Sequence, residues 1–330
     1  MKKSLIALAV LAASGASFAQ SSVSVYGVAD VWFGSVKAVN VTNTVLNSNG
    51  VAASRFGFKG TEDLGGGLKA NFLLEQGFNI DSGSTDAGQA FSRQSYVGFS
   101  GGFGEVKLGK MWTAYDDVAG STQAVFDSAL SPLSGVSTVW ASQNYAANPA
   151  NGLYYVSPSF GGVTAAVSYA LGENKTAALD ASSVTALNVQ YAGGPVTAAL
   201  AYQTQKPQAG DSLNFTTLRG SYNLGVAKLI AAYGRKDGGG LVNANEYMIG
   251  ADVPVAKALT LSASYARSNN DDNGAVKGDE RTGFGLAAAY SLSKRTTAYA
   301  GLRVATTKVN GVSNDANDVN VYAIGVNHTF

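Results

Sequence analysis

Most of the chain beyond residue 22 alternates apolar with polar or small side chains at a period of two, in short segments separated by turns. The segments 163–169, 196–202 and 259–265 are clean examples, with a Tyr at the end of the apolar face and mainly Thr, Ala or Ser opposite. Successive side chains of an extended chain point to opposite faces of a sheet. The pattern therefore predicts β-strands with one apolar face and one small or polar face.

Two kinds of connection alternate between these segments. Short connections lie near residues 63–67, 100–104, 158–162, 192–195, 223–225, 253–257 and 291–295. Longer polar connections lie near residues 37–53, 79–90, 111–149, 171–182, 205–213, 236–245, 269–281 and 307–319. Seven short and eight long connections join sixteen strands. An even number of strands, with short turns at one end and long loops at the other, is typical of an outer-membrane barrel.

The aromatic side chains of the apolar face sort into two belts if the strands alternate in direction. The belt at the long-loop end contains Tyr169, Tyr202, Tyr233, Tyr247 and Tyr265, and the belt at the short-turn end contains Tyr191, Tyr222, Tyr290 and Phe330. Amphipathic rings favour the headgroup level of a lipid-facing wall. Because unpaired strand edges are costly in lipid, the first and last strands must also pair. The sequence thus predicts an all-β fold, a transmembrane antiparallel 16-stranded β-barrel with an up-and-down meander.

The segment 111–149 interrupts this array, because it has no sustained period-2 pattern. It carries apolar side chains that solvated linkers lack, among them Trp112, Tyr115, Leu130 and Trp140. A connection of this length inside a regular sheet is usually either disordered or functional. Sixteen strands leave room for a water-filled lumen. We therefore expect this third long loop to fold into the lumen and to form its constriction.

Composition indicates where the protein resides and excludes several classes of protein. Residues 1–19 begin with Lys2 and Lys3, continue with a short apolar run and end on small residues. They predict a cleaved secretory signal peptide, followed by a single barrel domain over residues 20–330. The chain has no Cys, and its 23 basic and 22 acidic residues give no indication of nucleic acid as a partner. The sequence predicts no cofactor and no metal site.

Candidate catalytic groups are few. His328 is the only His, it has the parity of the outward face, and the chain has no Cys. No Ser-His or Cys-His pair can therefore form in a cleft. The sequence predicts a protein that is not an enzyme, with His328 as an aromatic group at the barrel rim.

Inward-facing charges are the candidate functional residues. The wall residues with the parity of the lumen include Arg55, Lys59 and Arg93, together with Asp30, Glu75 and Arg219. The acids of the long loop that could oppose the arginines are Asp116, Asp117 and Asp127. Opposed charges across a narrow neck orient water and dipolar solutes, and their balance sets ion preference. Alternatively, the cations are ordinary solvated lumen residues, and an acid ties the loop to the wall.

Four stretches carry a family resemblance: SRFGFKGTEDLGGGLKANFLLEQGF (54–78), FSRQSYVGFSGGFGEVKLGK (91–110), YYVSPSFGG (154–162) and the terminal GVNHTF. They resemble the general-porin family of Gram-negative outer membranes, in its β-proteobacterial branch. The resemblance implies a homotrimer of sixteen-stranded barrels in the cell outer membrane, in contact with lipid and lipopolysaccharide. It also implies passive diffusion of small hydrophilic solutes and ions. Arg55 and Arg93 match constriction arginines of the family, and Phe330 matches the aromatic residue that members present to the barrel-assembly machinery.

Two points stay open at this level. No Lys or Arg occurs between Lys110 and Lys175, where many relatives carry a third wall arginine, so the sign of the ion preference is not predicted. The function also has alternatives. One is a substrate-selective channel on the same barrel, with an aromatic track of Trp32, Trp112, Tyr115 and Trp140. The other is an adhesin or receptor barrel that acts through its outer loops.

Overall fold

The computed structural model describes residues 22–121, 123–133, 139–240, 243–272 and 277–330. The predicted signal peptide, residues 1–19, lies outside these ranges and stays a prediction. Over the described residues, one antiparallel sheet of 18 strands accounts for the fold. None of the helices in these ranges is long and apolar enough to cross a membrane.

The strands follow one another along the chain with few helical interruptions. They are β1 (Ser22–Ala38), β2 (Val41–Ser48), β3 (Arg55–Gly65), β4 (Leu68–Gly77), β5 (Gln94–Gly101), β6 (Gly104–Lys110), β7 (Gly152–Val156), β8 (Val163–Leu171), β9 (Ser183–Gly193), β10 (Val196–Lys206), β11 (Leu213–Asn223), β12 (Lys228–Gly238), β13 (Ala244–Ala256), β14 (Leu259–Asn270), β15 (Glu280–Ser291), β16 (Thr296–Val309), β17 (Val312–Ser313) and β18 (Val319–Thr329). The helical elements are α1 (Asp116–Ala119) and 3₁₀ turns at Asp86–Gly88, Val125–Asp127, Ala141–Gln143 and Asp315–Asn317.

The sheet closes into a barrel of 16 wall strands, as the sequence predicts. β1 pairs with β3 through residues 22–28 and with β18 through residues 28–37, which joins the two ends of the meander. The short strands β2 and β17 lie inside the predicted loops 37–53 and 307–319. They extend β1 and β16 as hairpins beyond the wall, so these two loops contain more regular structure than their polar sequences indicate.

The outer face of the barrel is apolar. Exposed side chains on this face include Val25, Phe58, Val97, Val167, Leu187, Leu200, Leu218, Ile249, Leu286 and Ile324. The aromatic belts are also exposed, through Tyr169, Tyr202, Tyr247 and Tyr265 at one end and Tyr191, Tyr222, Tyr290 and Phe330 at the other. An apolar band between aromatic belts is the surface that a bilayer requires.

The buried core of the protein lies inside the barrel, where segment 111–149, called the inward loop below, packs on part of the wall. The inner face of β7–β16, called the covered wall, offers the loop small side chains: Ala166, Ala186, Ala201, Ala232, Ala266 and Ala287. Two apolar clusters form there, around Tyr115 and Val118 and around Leu130 and Trp140. The inner face of β3–β6, called the bare wall, is outside both clusters except for partly buried Tyr96.

Candidate functional site

Two arginines and one carboxylate form a cluster on the bare wall. Glu75 of β4 lies between Arg55 of β3 and Arg93, whose backbone N–H donates to the Glu75 carbonyl at 3.2 Å. The Arg93 Nε atom is 2.7 Å from Glu75 Oε1, and the Arg55 Nε atom is 3.4 Å from Glu75 Oε2. The Glu75 side chain is 6% exposed, whereas those of Arg55 and Arg93 are 27% and 18% exposed. One buried carboxylate thus holds two partly exposed cations, which leaves the cluster with an excess positive charge.

Lys59 continues this positive surface toward the short-turn end. It lies two residues from Gly57 on the inner face of β3, and its Nζ atom lies 5.0 Å from the centre of the Tyr26 ring. A cavity of about 490 Å³ opens beside it, lined mainly by polar groups that include Ser24, Lys69 and Glu105. Lys59 and Lys69 are exposed although they point into the barrel. The lumen beside the bare wall is therefore open to water.

The inward loop begins directly against the arginine cluster. The Arg93 guanidinium lies 5.0 Å from the centre of the Trp112 ring, near the start of the loop. The Asn148 side chain, near the end of the loop, donates to the backbone carbonyls of Ser92 and Arg93 at 3.2 and 2.8 Å. Both ends of the loop are thus fastened beside Arg93, so this cation lies next to the inward loop.

Asp116 and Asp117 open α1 on the inward loop, and each accepts a hydrogen bond from a tyrosine. Tyr145 O–H donates to Asp116 Oδ1 at 2.6 Å, and Tyr154 O–H donates to Asp117 Oδ2 at 2.6 Å. Asn188 Nδ2 donates to the same Asp117 oxygen at 3.0 Å. These contacts tie the two acids to the loop and to the covered wall, which corresponds to the alternative reading of the loop acids.

The same two acids remain within electrostatic reach of the lumen cations. Burial raises the pKa of Asp116 to about 6, against the lowering effects of the Tyr145 hydrogen bond and the charge on Arg93. Burial also raises the pKa of Asp117 to about 6, against the Tyr154 hydrogen bond and the charge on Lys107. The two carboxyl groups are therefore close to half protonated at a mildly acidic pH. The third predicted loop acid is Asp127, whose side chain lies outside the described part of the structure.

Residues 141 and 142 of the inward loop are anchored by Glu246, a residue that the sequence pattern did not single out. Glu246 is fully buried on the inner face of β13. Its carboxylate accepts hydrogen bonds from the backbone N–H and hydroxyl of Ser142, from the backbone N–H of Ala141 and, at 2.9 Å, from Ser268. The signal in the sequence is an isolated acid at an inward position, followed by Met248 and Gly250 on the same face.

Two aromatic contacts complete this anchor. Trp140 is 0% exposed, and its indole N–H donates to the Tyr247 carbonyl at 3.3 Å. The Arg219 guanidinium lies 5.5 Å from the centre of the Trp140 ring. Arg219 has the inward parity that the sequence predicts, but the loop covers it, and only 2% of the residue is exposed.

Asp30, another of the predicted inward residues, lies under the first outer loop. It is 0% exposed, and its carboxylate accepts hydrogen bonds of 2.6 to 3.2 Å from the backbone N–H groups of residues 50–52. Tyr299 O–H of β16 donates to it at 2.7 Å, and Asn327 Nδ2 of β18 donates at 3.0 Å. The first loop in turn reaches the inward loop, because the Gly50 carbonyl accepts from the Ala129 N–H at 2.6 Å.

The proposed aromatic track of a selective channel is not exposed in the lumen. Trp140, Tyr115 and Trp32 are 0%, 1% and 5% exposed. Only Trp112 is partly accessible, and Arg93 lies over its ring. These aromatic side chains pack the inward loop and the first strand, so they do not form a continuous surface for a solute.

Phe330 lies at the seam of the barrel. Its backbone exchanges hydrogen bonds with Gly27 of β1 at 3.1 and 3.0 Å, and the residue is 50% exposed on the outer face. A Cβ atom on Gly27 would lie 2.2 Å from the Phe330 ring, so the glycine makes room for this side chain. The role of Phe330 in barrel assembly stays a prediction.

Comparison with known proteins places this geometry in context. The profile of a family described as Gram-negative porin matches residues 5–311. Outer membrane porin protein 32 of Delftia acidovorans is 37% identical over 348 residues, which covers 99% of this chain and 94% of that protein. An outer membrane porin protein of Bordetella pertussis is 32% identical over 369 residues, which covers 91% of this chain and 93% of that protein. The solved structure of an anion-selective porin from Comamonas acidovorans has a TM-score of 0.79 and 29% identity, and covers 94% of this chain and 100% of that one.

Proposed function

Because this chain belongs to the Gram-negative porin family, we propose that solutes pass between the bare wall and the inward loop, with Arg55 and Arg93 at the narrowest point. The protein is an outer-membrane channel for passive diffusion of small hydrophilic solutes and ions, and it is not an enzyme. The location of the neck and its preference for one sign of charge are the parts that we propose.

The observation that carries this proposal is the shared carboxylate of the arginine cluster. Glu75 neutralises one of the two cations and is itself buried, so the excess charge at the surface of the passage is positive. The acids on the other side of the proposed neck are less accessible to a passing ion, because tyrosine hydroxyls cover the carboxylates of Asp116 and Asp117. A passing ion thus meets partly exposed cations and carboxylates shielded by tyrosine hydroxyls.

This asymmetry favours a weak preference for anions. Rings or patches of charged side chains at a constriction set ion selectivity in channels. Lys59 extends the positive surface below the cluster, so the field continues along the path of the solute. The solved relative from Comamonas acidovorans is described as anion-selective, which supports the same sign here.

The test is the reversal potential of the reconstituted channel in a potassium chloride gradient, for the wild type and for the double variant R55Q/R93Q. We expect the anion-to-cation permeability ratio of the variant to fall by roughly two- to fivefold, because two charges leave the neck. The matched control is R295Q, which removes one charge from an exposed short turn. An unchanged ratio in R55Q/R93Q, or an equal change in R295Q, would remove the two arginines from the neck.

We also propose that the protein assembles as a homotrimer through an outward patch of phenylalanine rings. Phe56 lies with its ring centre 6.4 Å from that of Phe58 and 6.2 Å from that of Phe78. Contiguous apolar rings without a polar group suit protein contact better than the headgroup level, where tyrosine is favoured. Native mass spectrometry of the purified protein should give three times the mass of the chain, and a single-chain mass would refute the proposal.

A further inference from the structure

Tyr26 of β1 reaches the arginine cluster across the neighbouring strand. In register, Tyr26 lies opposite Gly57 of β3, and Gly57 lies opposite Glu75 of β4. The Tyr26 hydroxyl nevertheless donates to Glu75 Oε2 at 2.7 Å. A Cβ atom on Gly57 would lie 2.8 Å from the end of the Tyr26 side chain. Because a glycine inside a strand lets another group approach the backbone closely, the tyrosine can pass over β3 to the carboxylate.

The hydroxyl of Tyr26 and the guanidinium of Arg55 share one oxygen of Glu75. The Arg55 Nε atom is 3.4 Å from Oε2, which is longer than the roughly 2.7–2.9 Å of a charge-assisted hydrogen bond. The other oxygen, Oε1, accepts a hydrogen bond of 2.7 Å from Arg93 Nε. The tyrosine therefore occupies the acceptor with which Arg55 would otherwise form a full ion pair.

The two arginines are held to different degrees as a result. Arg93 is fixed by the Glu75 carboxylate and lies over the Trp112 ring, and its side chain is 18% exposed. Arg55 Nη1 donates to the neutral carbonyl of Ala53 at 2.8 Å, and its side chain is 27% exposed. Arg55 thus keeps more of its charge accessible to water in the lumen.

The ring of Tyr26 also contacts the next cation along β3. Lys59 Nζ lies 5.0 Å from the centre of this ring, and the residue is exposed in the lumen. The face of an aromatic ring attracts a cation without neutralising it. One tyrosine thus binds the acid through its hydroxyl and a cation through its ring, and neither contact cancels a positive charge.

We propose that Tyr26 is a positioning residue for the ion preference of the channel, because its hydroxyl occupies Glu75 and keeps the Arg55 charge available to passing anions. This inference rests on the neck proposed above. A neutral hydroxyl satisfies a carboxylate oxygen without supplying a charge. A full ion pair would instead draw the Arg55 guanidinium against the acid and weaken the positive field in the lumen. Arg93 then serves as the fixed cation of the neck, and Arg55 as the one that can bend toward the solute.

The test is a cycle of four proteins, namely the wild type, Y26F, R55Q and Y26F/R55Q, with the reversal potential measured in the same potassium chloride gradient. Y26F deletes the hydroxyl and keeps the ring beside Lys59. We expect its anion-to-cation permeability ratio to fall by about 1.5- to twofold. In the R55Q background the same deletion should leave the ratio nearly unchanged, because Tyr26 acts through Arg55 and the two effects are coupled.

The matched control is Y96F, which removes a hydroxyl from β5 on the same bare wall, where the Tyr96 ring lies 5.3 Å from Lys107 Nζ. Y96F should keep the wild-type ratio. A wild-type ratio in Y26F, or an equal fall in Y26F and Y96F, would overturn the role of Tyr26. An equal fall with and without Arg55 would also overturn it, because a general distortion of the wall would then explain the effect.

Chemical modification of the arginines gives a readout that does not depend on the position of the neck. With phenylglyoxal and peptide mass spectrometry, Arg55 should react faster than Arg93 in the wild type, and Y26F should slow the reaction of Arg55. Equal rates for Arg55 in the two proteins would refute the exchange of partners at Glu75. If R55Q/R93Q kept the wild-type reversal potential while Y26F slowed this reaction, the proposed neck would fail and the positioning of Arg55 by Tyr26 would be supported.

Discussion

The covered wall and the bare wall have the same strand architecture and opposite surfaces. On the covered wall the inward positions are rich in alanine, serine and glycine, with a few larger side chains and buried charges among them, and the inward loop packs over them. On the bare wall the inward positions include Lys59, Lys69, Glu75 and Lys107, and water reaches most of them. Side-chain size on the inner face thus decides where the loop can lie, and charge decides which part of the lumen stays open.

The comparison shows how a loop can divide a round lumen without filling it. Gly285 on the covered wall illustrates the packing, since a Cβ atom there would lie 2.2 Å from the Leu130 carbonyl oxygen of the loop. Small residues let the backbone of the loop approach the sheet closely. The large charged side chains of the bare wall would each have to lose their water to accept the same contact, which costs several kcal/mol per ion.

The largest effect should come from removing the buried acid of the covered wall. In E246A the backbone N–H groups of Ala141 and Ser142 lose their acceptor, at a cost of about 1–3 kcal/mol for groups that stay buried. We expect the loop to leave the covered wall for part of the time. Thermal unfolding should shift to lower temperature, and single-channel recordings should show new fluctuations of conductance.

The bare wall provides the matched control. Glu105 pairs with Lys107 at 3.2 Å, and both side chains are at least 20% exposed. E105A should change stability by less than about 1 kcal/mol, because exposed ion pairs contribute little. If E246A and E105A gave the same unfolding temperature and the same current noise, the distinction between the two walls would fail.

A smaller effect should follow from pH through the loop acids. The pKa of Asp116 and that of Asp117 are raised to about 6, so the folded protein holds these protons more tightly than the unfolded chain. The packing of the loop therefore gains stability as the pH falls from about 6 toward 4, and it does not loosen. As the carboxylates become neutral, the anion-to-cation permeability ratio should rise by roughly twofold between pH 7 and pH 5.

Reversal potentials of the wild type and of D116N/D117N, measured across this pH range, test the assignment. The variant should show the higher ratio at pH 7 and little further change on acidification. A variant that retained the full pH response would show that other groups titrate in the passage.

The alternation of apolar and polar residues predicts most of the fold. The strands, the long third loop and the inward parity of Arg55, Arg93 and Glu75 follow from a period of two, because side-chain direction depends only on position in the strand. The extra strands β2 and β17 were missed, since both lie in polar loops and are stabilised by pairing with β1 and β16. The channel function follows from the family resemblance, whereas the alternation of residues predicts only the barrel.

The side on which the loop rests could not be read from the sequence. The sequence suggests that Trp32 and Trp140 belong to an exposed aromatic track. Both are instead buried by contacts with segments far along the chain. Glu246 was equally hidden, because its partners Ala141 and Ser142 are 105 and 104 residues away. Such contacts depend on how the loop crosses the lumen, which no local pattern records.

The bonds of Asp30 have a consequence for the order in which the protein is completed. Its carboxylate binds groups on Tyr299 and Asn327, which are 269 and 297 residues further along the chain. These groups arrive only when β18 pairs with β1 and β16 pairs with β18. The last hydrogen bonds to the carboxylate that holds the first outer loop therefore form in the same event that closes the barrel. A barrel that has not yet closed therefore lacks some of the hydrogen bonds that hold its entrance.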